Sequence, residues 1–385
     1  MSKNGRILVA MSGGIDSSVA AMMLHDQGYE VIGITMKTWD YATSGGARKT
    51  TGCCSLDDIN DARALAVSKG FHHTILDIRQ EFGESIIDNF VDEYMAGRTP
   101  NPCILCNTHI KWDALLRRAD QLNCEFIATG HYASINTENG RYYVSKGKDR
   151  NKDQSYVLWG LSQEALKRTI LPLGEFTKPE IRQMAAEQGF NELAKKNESY
   201  EICFVPDNDY RGFLSRRVPG LEAKLRGGRF VDTSGNDLGE HRGYPFYTIG
   251  QRKGLGRAFG EPMYVVRIDP ATNTVVLGRE NELKSTEMVV RNVNLQKVAS
   301  IDSPLEATVK IRYKDSGTMG EIIPIENNLY RVMFQHSASA VAPGQSAVFY
   351  DGDDVIGGGF IARHDESQNH GVFRPHHFRS SQEAI

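Results

Sequence analysis

The sequence predicts an α/β protein: an N-terminal doubly wound parallel sheet of Rossmann-like type, a small β-rich central domain and a C-terminal β-barrel. Three observations carry this. Short apolar runs alternate with helical patterns through the first two hundred or so residues, the rhythm of βαβ units covered on both faces. After about Pro206, Gly-Gly and Gly-Tyr-Pro punctuation separates short β-branched runs. From about Met288 strand-like runs follow one another without helical pattern, as in a small barrel or sandwich. At 385 residues the chain is too long for one compact core. The texture changes place boundaries at 1–206, 207–284 and 285–370, with a flexible polar tail at 371–385.

In the first region, Arg6 to Met11 reads as a strand and Ser17 to Gly28 as a helix with Ala20, Ala21, Met23 and Leu24 supplying apolar surface. Tyr29 to Met36 is a second strand, Leu56 to Lys69 a helix, and His73 to Ile78 a strand. Helices near Glu81 to Met95 and Thr108 to Leu122 precede a strand at Glu125 to Thr129. In the last region the strand-like runs are Ala307 to Tyr313, Gly320 to Pro324, Leu329 to Phe334 and Ala347 to Tyr350.

Composition excludes several classes. Hydrophobic residues at 40% and charged residues at 24% give an ordinary globular balance rather than a disordered one. Forty-five Lys and Arg against 48 Asp and Glu leave a net charge of −3, so there is no histone-like polycationic character, although a local basic groove stays open. No apolar stretch reaches the ~18 residues of a membrane span, and Met-Ser-Lys-Asn-Gly-Arg is not a secretory signal. Six cysteines in this length are no disulfide framework, so the expected compartment is a reducing cytoplasm. No Arg-rich transit peptide is visible, which favours a bacterial one.

The strongest motif is Ala10-Met11-Ser12-Gly13-Gly14-Ile15-Asp16-Ser17. It follows a strand and opens a helix, which aims backbone N–H groups and a positive dipole end at an anion. The glycines allow close backbone approach, and Ser12 and Ser17 can add hydroxyl donors. No Gly-Lys-Ser/Thr occurs, so this is no Walker loop. Ser-Gly-Gly-x-Asp-Ser resembles the signature of the PP-loop ATP pyrophosphatases, which implies ATP as substrate, with Mg2+, and cleavage between the α and β phosphates.

The second motif is Thr99-Pro100-Asn101-Pro102-Cys103-Ile104-Leu105-Cys106-Asn107. The prolines break the preceding helix, and a helix starting near Thr108 would put Cys106 close to its N-terminus, where the dipole favours thiolate. Cys203, in Glu201-Ile202-Cys203-Phe204, opens the β-rich region. By itself a lone cysteine is more often a small buried hydrophobe. Cys53-Cys54 and Cys124 read as loop and core residues.

Further segments fall in order along the chain: Thr129-Gly130-His131-Tyr132-Ala133, Lys152-Asp153-Gln154-Ser155-Tyr156, Tyr247 to Gly254, and Ala342-Pro343-Gly344-Gln345-Ser346-Ala347. With Ser12–Ser17, Asn101–Asn107 and Glu201–Phe204, they resemble the tRNA-specific 2-thiouridylases, the MnmA/TrmU family, across nearly the whole chain. The resemblance implies that the uracil C2 oxygen of a wobble uridine attacks the α phosphate of ATP. Cys203, carrying a persulfide, would then deliver sulfur to C2, with AMP as leaving group. Cys106 would close on Cys203 as a disulfide or free the sulfur as sulfide. It further implies adenine and phosphate contacts at Ala10 to Ser17, Met36 and Gly130. Target-base contacts fall at Asn101, Pro102 and Cys103, and tRNA contacts at His131, Lys152, Asp153, Gln154, Arg312, Tyr313 and Gln345. The expected partners are tRNAs for Lys, Glu and Gln, and a cysteine desulfurase or sulfur carrier; no membrane is expected.

One departure stands out: the family commonly has aspartate after Asn-Pro, where this chain has Cys103. A thiol could serve as a base if its pKa is lowered. It could instead join Cys106 and Cys203 as ligands of an iron–sulfur cluster or a zinc ion. In the middle region Lys224, Arg226, Arg229, Arg242, Arg252, Lys253 and Arg257 interleave with Tyr244, Phe246, Tyr247 and Phe259, as a surface for RNA phosphates and stacked bases would. An amide-forming PP-loop ligase would leave Cys106 and Cys203 without work. A tRNA-binding module without turnover would tolerate Cys203→Ser.

Overall fold

The computed structural model describes residues 3–39, 56–195, 202–205 and 207–363; Cys53-Cys54 and the tail at 371–385 lie outside them. Five parallel strands, β1 (Arg6–Ala10), β2 (Glu30–Lys37), β3 (His72–Asp77), β4 (Phe126–Ala128) and the later β7 (Thr169–Ile170), form one sheet in the order β3-β2-β1-β4-β7. Ile7, Leu8 and Val9 of β1 are fully buried, as expected for a central strand covered on both faces. The order reverses between β1 and β4, so a ligand crevice opens at their carboxyl ends.

Helix α1 (Ile15–Asp26) follows β1 and α2 (Leu56–Lys69) precedes β3. Next, α3 (Arg79–Phe82) runs through a π-helical turn at Gly83–Ile87 into α4 (Asp88–Met95). A second such path begins with α5 (Pro102–Leu105), passes a π-helical segment at Cys106–Lys111 and continues as α6 (Trp112–Gln121). The helix expected from Thr108 therefore starts six residues earlier in chain order, at Pro102. Proline fits the first helical position, where an N–H is unpaired anyway, so Pro102 opens the helix rather than ending one.

After β4 comes a hairpin, β5 (Ala133–Glu138) and β6 (Arg141–Lys146), then α7 (Gln163–Lys167), β7, α8 (Lys178–Glu187) and α9 (Asn191–Lys195). The middle region opens with α10 (Tyr210–Arg217) and α11 (Leu221–Lys224). It then forms a four-stranded sheet from β8 (Arg229–Asp232), β9 (Asp237–Glu240), β10 (Tyr264–Asp269) and β11 (Thr274–Gly278).

The last region is a closed barrel of β12 (Lys284–Leu295), β13 (Leu305–Lys310), β14 (Thr318–Pro324), β15 (Leu329–Ser339), β16 (Ser346–Asp351) and β17 (Asp354–Ile361). Strand β12 pairs with both β15 and β17 and so closes it. The β5–β6 hairpin of the first region joins this sheet through Ser145 and Asp354.

Two apolar clusters tie the regions together. One contains Phe82, Phe90, Tyr94, Cys106 and Ile110 with Phe230, Tyr247, Leu255 and Val265 of the middle sheet. The other contains Leu8, Ile34, Trp112 and Leu115 with Val348, Tyr350 and Val355 of the barrel.

Candidate active site

The loop between β1 and α1 sits at the crevice. Gly14, the N-cap of α1, is extended and has no side-chain cap, so the first-turn amides of the helix are left for a ligand. Gly13 has φ +70, and a Cβ there would collide with the Asp58 backbone of α2; only glycine fits. The Ser12 amide donates to Ser17 Oγ at 3.0 Å, and Ser17 Oγ donates to the Gly14 carbonyl at 3.2 Å. Ser17 thus braces the loop from inside instead of offering its hydroxyl proton outward. Ala10 ends β1, buried Met11 and Ile15 anchor the loop on either side, and Met36 near the end of β2 packs against both shared clusters.

Asp16 accepts from Tyr132 Oη at 2.6 Å and from Lys178 Nζ at 2.7 and 2.9 Å. Lys178 is almost fully buried, at 7% side-chain exposure, and opens α8 behind a Thr177–Glu180 capping box. The capping box is readable in the sequence, but nothing local says that Lys178 reaches Asp16. Gly130, after β4, lies directly on the first turn of α1: a Cβ would stand 2.7 Å from Asp16 C and Ser17 N. What Gly130 lets approach is the loop itself.

The second element is the helix from Pro102. Asn101 is its N-cap, and Cys103 is in its first turn. Cys106 lies a turn further in, and its amide is bonded to the Pro102 and Cys103 carbonyls, so the expected position at the free helix end belongs to Cys103. Cys106 opens a π-helical segment, a feature frequent at functional sites. Cys103 is exposed, and desolvation pushes its thiol pKa up against the pull of Lys111. It is therefore a protonated thiol at neutral pH rather than a base. Lys111, not foreseen from the sequence, also acts on His131, whose pKa desolvation lowers to about 3. His131 is a neutral imidazole, paired with Thr129 Oγ1 at 2.8 Å and packed near Trp112.

Cys203 is placed by its neighbour. Phe204 is buried and meets Phe82, Phe90 and Phe213 with centroids 5.8, 5.2 and 5.4 Å away. Cys203 packs half-buried on the cluster that contains Cys106. Among the described residues no three His, Cys, Asp or Glu side chains gather as a metal site, so Cys103, Cys106 and Cys203 do not form a ligand set in this conformation.

Several residues expected to face RNA turn inward. Asp153 is 9% exposed, and its carboxylate accepts from the Gly147 and Ser155 amides and the Ser155 hydroxyl. Gln154 accepts the Tyr132 amide. Gln345 donates to the Thr99 and Pro100 carbonyls at 3.1 and 3.0 Å, clamping the barrel onto the segment that leads into Asn101. In the loop before Lys152, Lys146, Lys148 and Arg150 are each ion-paired, to Asp353, Glu180 and Asp353. Lys152 is half-buried. Arg312 and Tyr313 are exposed; Arg312 donates to the Ser339 carbonyl, and the Tyr313 ring stands edge-on to Tyr156. Tyr244, Phe246 and Tyr247 are buried at 6%, 2% and 4% exposure and are core, not stacking platforms.

Residues 5–207 match the family described as tRNA methyl transferase HUP domain, 212–279 its PRC-barrel domain and 285–361 the aminomethyltransferase beta-barrel domain. The tRNA-specific 2-thiouridylase MnmA of Amoebophilus asiaticus is 62% identical over 360 residues, covering 93% of this chain and 96% of that protein. Its counterpart in Cytophaga hutchinsonii is 61% identical over 362 residues, 94% and 98% of the two chains. That of Salinibacter ruber is 54% identical over 377 residues, 97% and 98% of the two. On this identity and coverage, the chain belongs to the tRNA-specific 2-thiouridylase family.

Proposed function

We propose that the protein is an ATP-dependent tRNA-uridine 2-sulfurtransferase acting on the wobble uridine. The observation that carries this is an uncapped phosphate loop at the sheet's reversal point together with one apolar cluster that contains Cys106 and has Cys203 packed against it. The uracil C2 oxygen attacks the α phosphorus, the bond to the β phosphate breaks and pyrophosphate leaves. The helix-end amides oppose the charge that develops on the phosphates. Asn101, Pro102 and Cys103 line the base site, where the protonated Cys103 thiol can donate to a uracil carbonyl.

In the second step the terminal sulfur of a Cys203 persulfide attacks C2 and AMP departs with the former C2 oxygen. Cys106 attacks Cys203 Sγ, breaking the S–S bond and leaving sulfur on C2; the resulting disulfide is reopened by a thiol reductant. In the alternative order Cys106 attacks the persulfide first and releases sulfide as the nucleophile. Both need a thiolate at Cys106.

Mg2+ accompanies ATP in this reading. Such an ion needs only one or two carboxylates besides substrate phosphates; Asp16 would supply one at the loop by giving up part of its bond to Lys178. His131, Lys152, Arg312 and Tyr313 are assigned to tRNA contact, and Gln154 and Gln345 to holding the segments that make it. The substrates are tRNAs for Lys, Glu and Gln, and the sulfur comes from a cysteine desulfurase, directly or through a carrier, in the cytoplasm. No helix among the described residues is long and apolar enough to cross a membrane.

The test is anaerobic reconstitution of metal-free protein with a desulfurase, ATP, magnesium and unmodified tRNA, assaying 2-thiouridine. The expected result is product, a persulfide trapped on Cys203, and loss of product but not of ATP or tRNA binding in Cys203→Ser. Activity only in iron–sulfur-loaded protein with free sulfide would overturn the relay.

A further inference from the structure

Two adjoining recesses open on the middle sheet, away from the phosphate loop. The first, about 390 Å³, is lined by Arg211, Arg242, Tyr247, Leu255 and Arg257 among others. The second, about 340 Å³, shares Leu255 and Arg257 and adds Arg252, Phe259 and Glu261. The charges around them do not cancel. Arg242 is held by Glu222 at 2.8 Å, Glu240 faces Arg229 at 3.5 Å, and Glu261 is held by Arg279 at 3.0 Å. Arg211, Arg252, Lys253 and Arg257 make no ion pair among the described residues.

These cations are shaped for use. The Arg211 guanidinium lies 5.8 Å from the Tyr210 and Tyr247 ring centroids, and its Nε is buried with no hydrogen-bond partner. The Arg257 guanidinium lies across Gly239, where any side chain would collide with it. Gly254 and Gly256, at φ +72 and +80, turn the loop that carries Arg252, Lys253 and Arg257 around Leu255. Phe246 and Tyr247 are buried and offer no face for a base, and the half-buried Phe259 ring stands edge-on to Phe230.

We propose that these recesses bind the phosphodiester backbone of the substrate RNA through Arg211, Arg252, Lys253 and Arg257, without reading base identity. The proposal rests on the substrate being tRNA. Guanidinium groups with unused donors match phosphate oxygens in fork geometry. Tyr247 and Leu255 belong to the cluster that holds Cys106, so RNA gripped here bears on the same apolar core as the helix that carries Cys106.

The experiment measures tRNA affinity of the full chain against salt concentration for wild type, Arg211→Gln/Arg257→Gln, Arg252→Gln/Lys253→Gln, and the charge-preserving Arg211→Lys/Arg257→Lys. Each phosphate contact removed should lower the slope of log K against log salt by about 1. Cognate and non-cognate tRNA should weaken alike, with the lysine variant keeping most of the wild-type slope. Neutral variants with wild-type affinity and slope overturn the proposal, as does a loss confined to cognate tRNA. Arg252, Lys253 and Arg257 are exposed, so the second neutral pair reads the effect even if Arg211→Gln impairs folding. Polyglutamate that competes for the recess while tRNA affinity ignores the substitutions assigns the site to an acidic peptide and overturns it too. Wild type that binds no tRNA at all refutes the thiolation reading itself.

Discussion

Gly130→Ala tests the phosphate loop without touching any polar group. The added methyl would stand 2.7 Å from two backbone atoms, Asp16 C and Ser17 N, and 3.0 Å from Asp16 O. Backbone on both sides cannot rotate away, so the first turn of α1 or the end of β4 must move by a few tenths of an ångström. Overpacking of this kind costs about 1–3 kcal/mol. Charged to the ATP-bound geometry, that weakens ATP about 5- to 150-fold. The assay is calorimetric titration with ATP or a non-hydrolysable analogue, beside Gly83→Ala as a control. Gly83 has helical φ and ψ of −60 and −54 and nothing within 4 Å of its added Cβ, so it should bind ATP like wild type. Equal affinity in Gly130→Ala and wild type would refute the claim that Gly130 sets the loop's position.

Other consequences follow from contacts away from the loop backbone. Lys178→Met strips Asp16 of its ammonium partner; breaking a buried pair costs about 3–5 kcal/mol, and Asp16, at 32% side-chain exposure, places the cost at the low end or below. Pyrophosphate release should fall at least about tenfold, with Lys178→Arg recovering part of it. Gln345→Ala removes two hydrogen bonds to the Thr99 and Pro100 carbonyls, about 1–3 kcal/mol together. Amide exchange at residues 98–103 should speed up, and unchanged exchange would count against the clamp. His131 stays neutral because burial lowers its pKa from 6.5 to about 3. The unfolded chain therefore binds a proton that the native one refuses between those values, and stability falls with pH there. His131→Asn should lessen the drop in melting temperature between pH 7 and 5, and an unaltered drop would show that the imidazole is not held neutral.

What the sequence showed plainly was local. The phosphate loop, its strand and its helix are one continuous stretch, and the glycines at 13 and 14 and Asp16 lie where a strand-to-helix anion site needs them. The helix start at Pro102 was misplaced because proline both ends and opens helices, and only the structure shows Asn101 as a cap. Strand β17 was missed because Gly357, Gly358 and Gly359 disfavour a strand. They are there because Asn294 O, the Trp159 ring and Arg291 O press against them. Gln345 looked like a surface contact because nothing near it in sequence reveals its partners Thr99 and Pro100, and Asp153 because its inward turn rests on Ser155, which in turn meets Tyr350. Hydrogen bonds between positions some two hundred residues apart leave no local periodicity.

The helix path from Pro102 to Gln121 explains why three regions serve one reaction. Its apolar residues divide between two cores: Cys106, Ile110 and Ala114, spaced four apart, enter the cluster shared with the middle sheet. Ile104, Trp112, Leu115 and Ala119 enter the cluster shared with the barrel. Helical spacing makes these two separate faces, so the cysteine-bearing helix is a wedge held from both sides. The wedge is pinned further by Trp112 Nε1 donating to Thr169 Oγ1 at 2.9 Å on the edge of the parallel sheet. The Thr99 amide donates to the Pro343 carbonyl of the barrel at 2.8 Å. In the proposed relay the Cys106 thiol must reach Cys203 Sγ, which demands placement to within fractions of an ångström. A helix clamped between two cores meets that demand for Cys106.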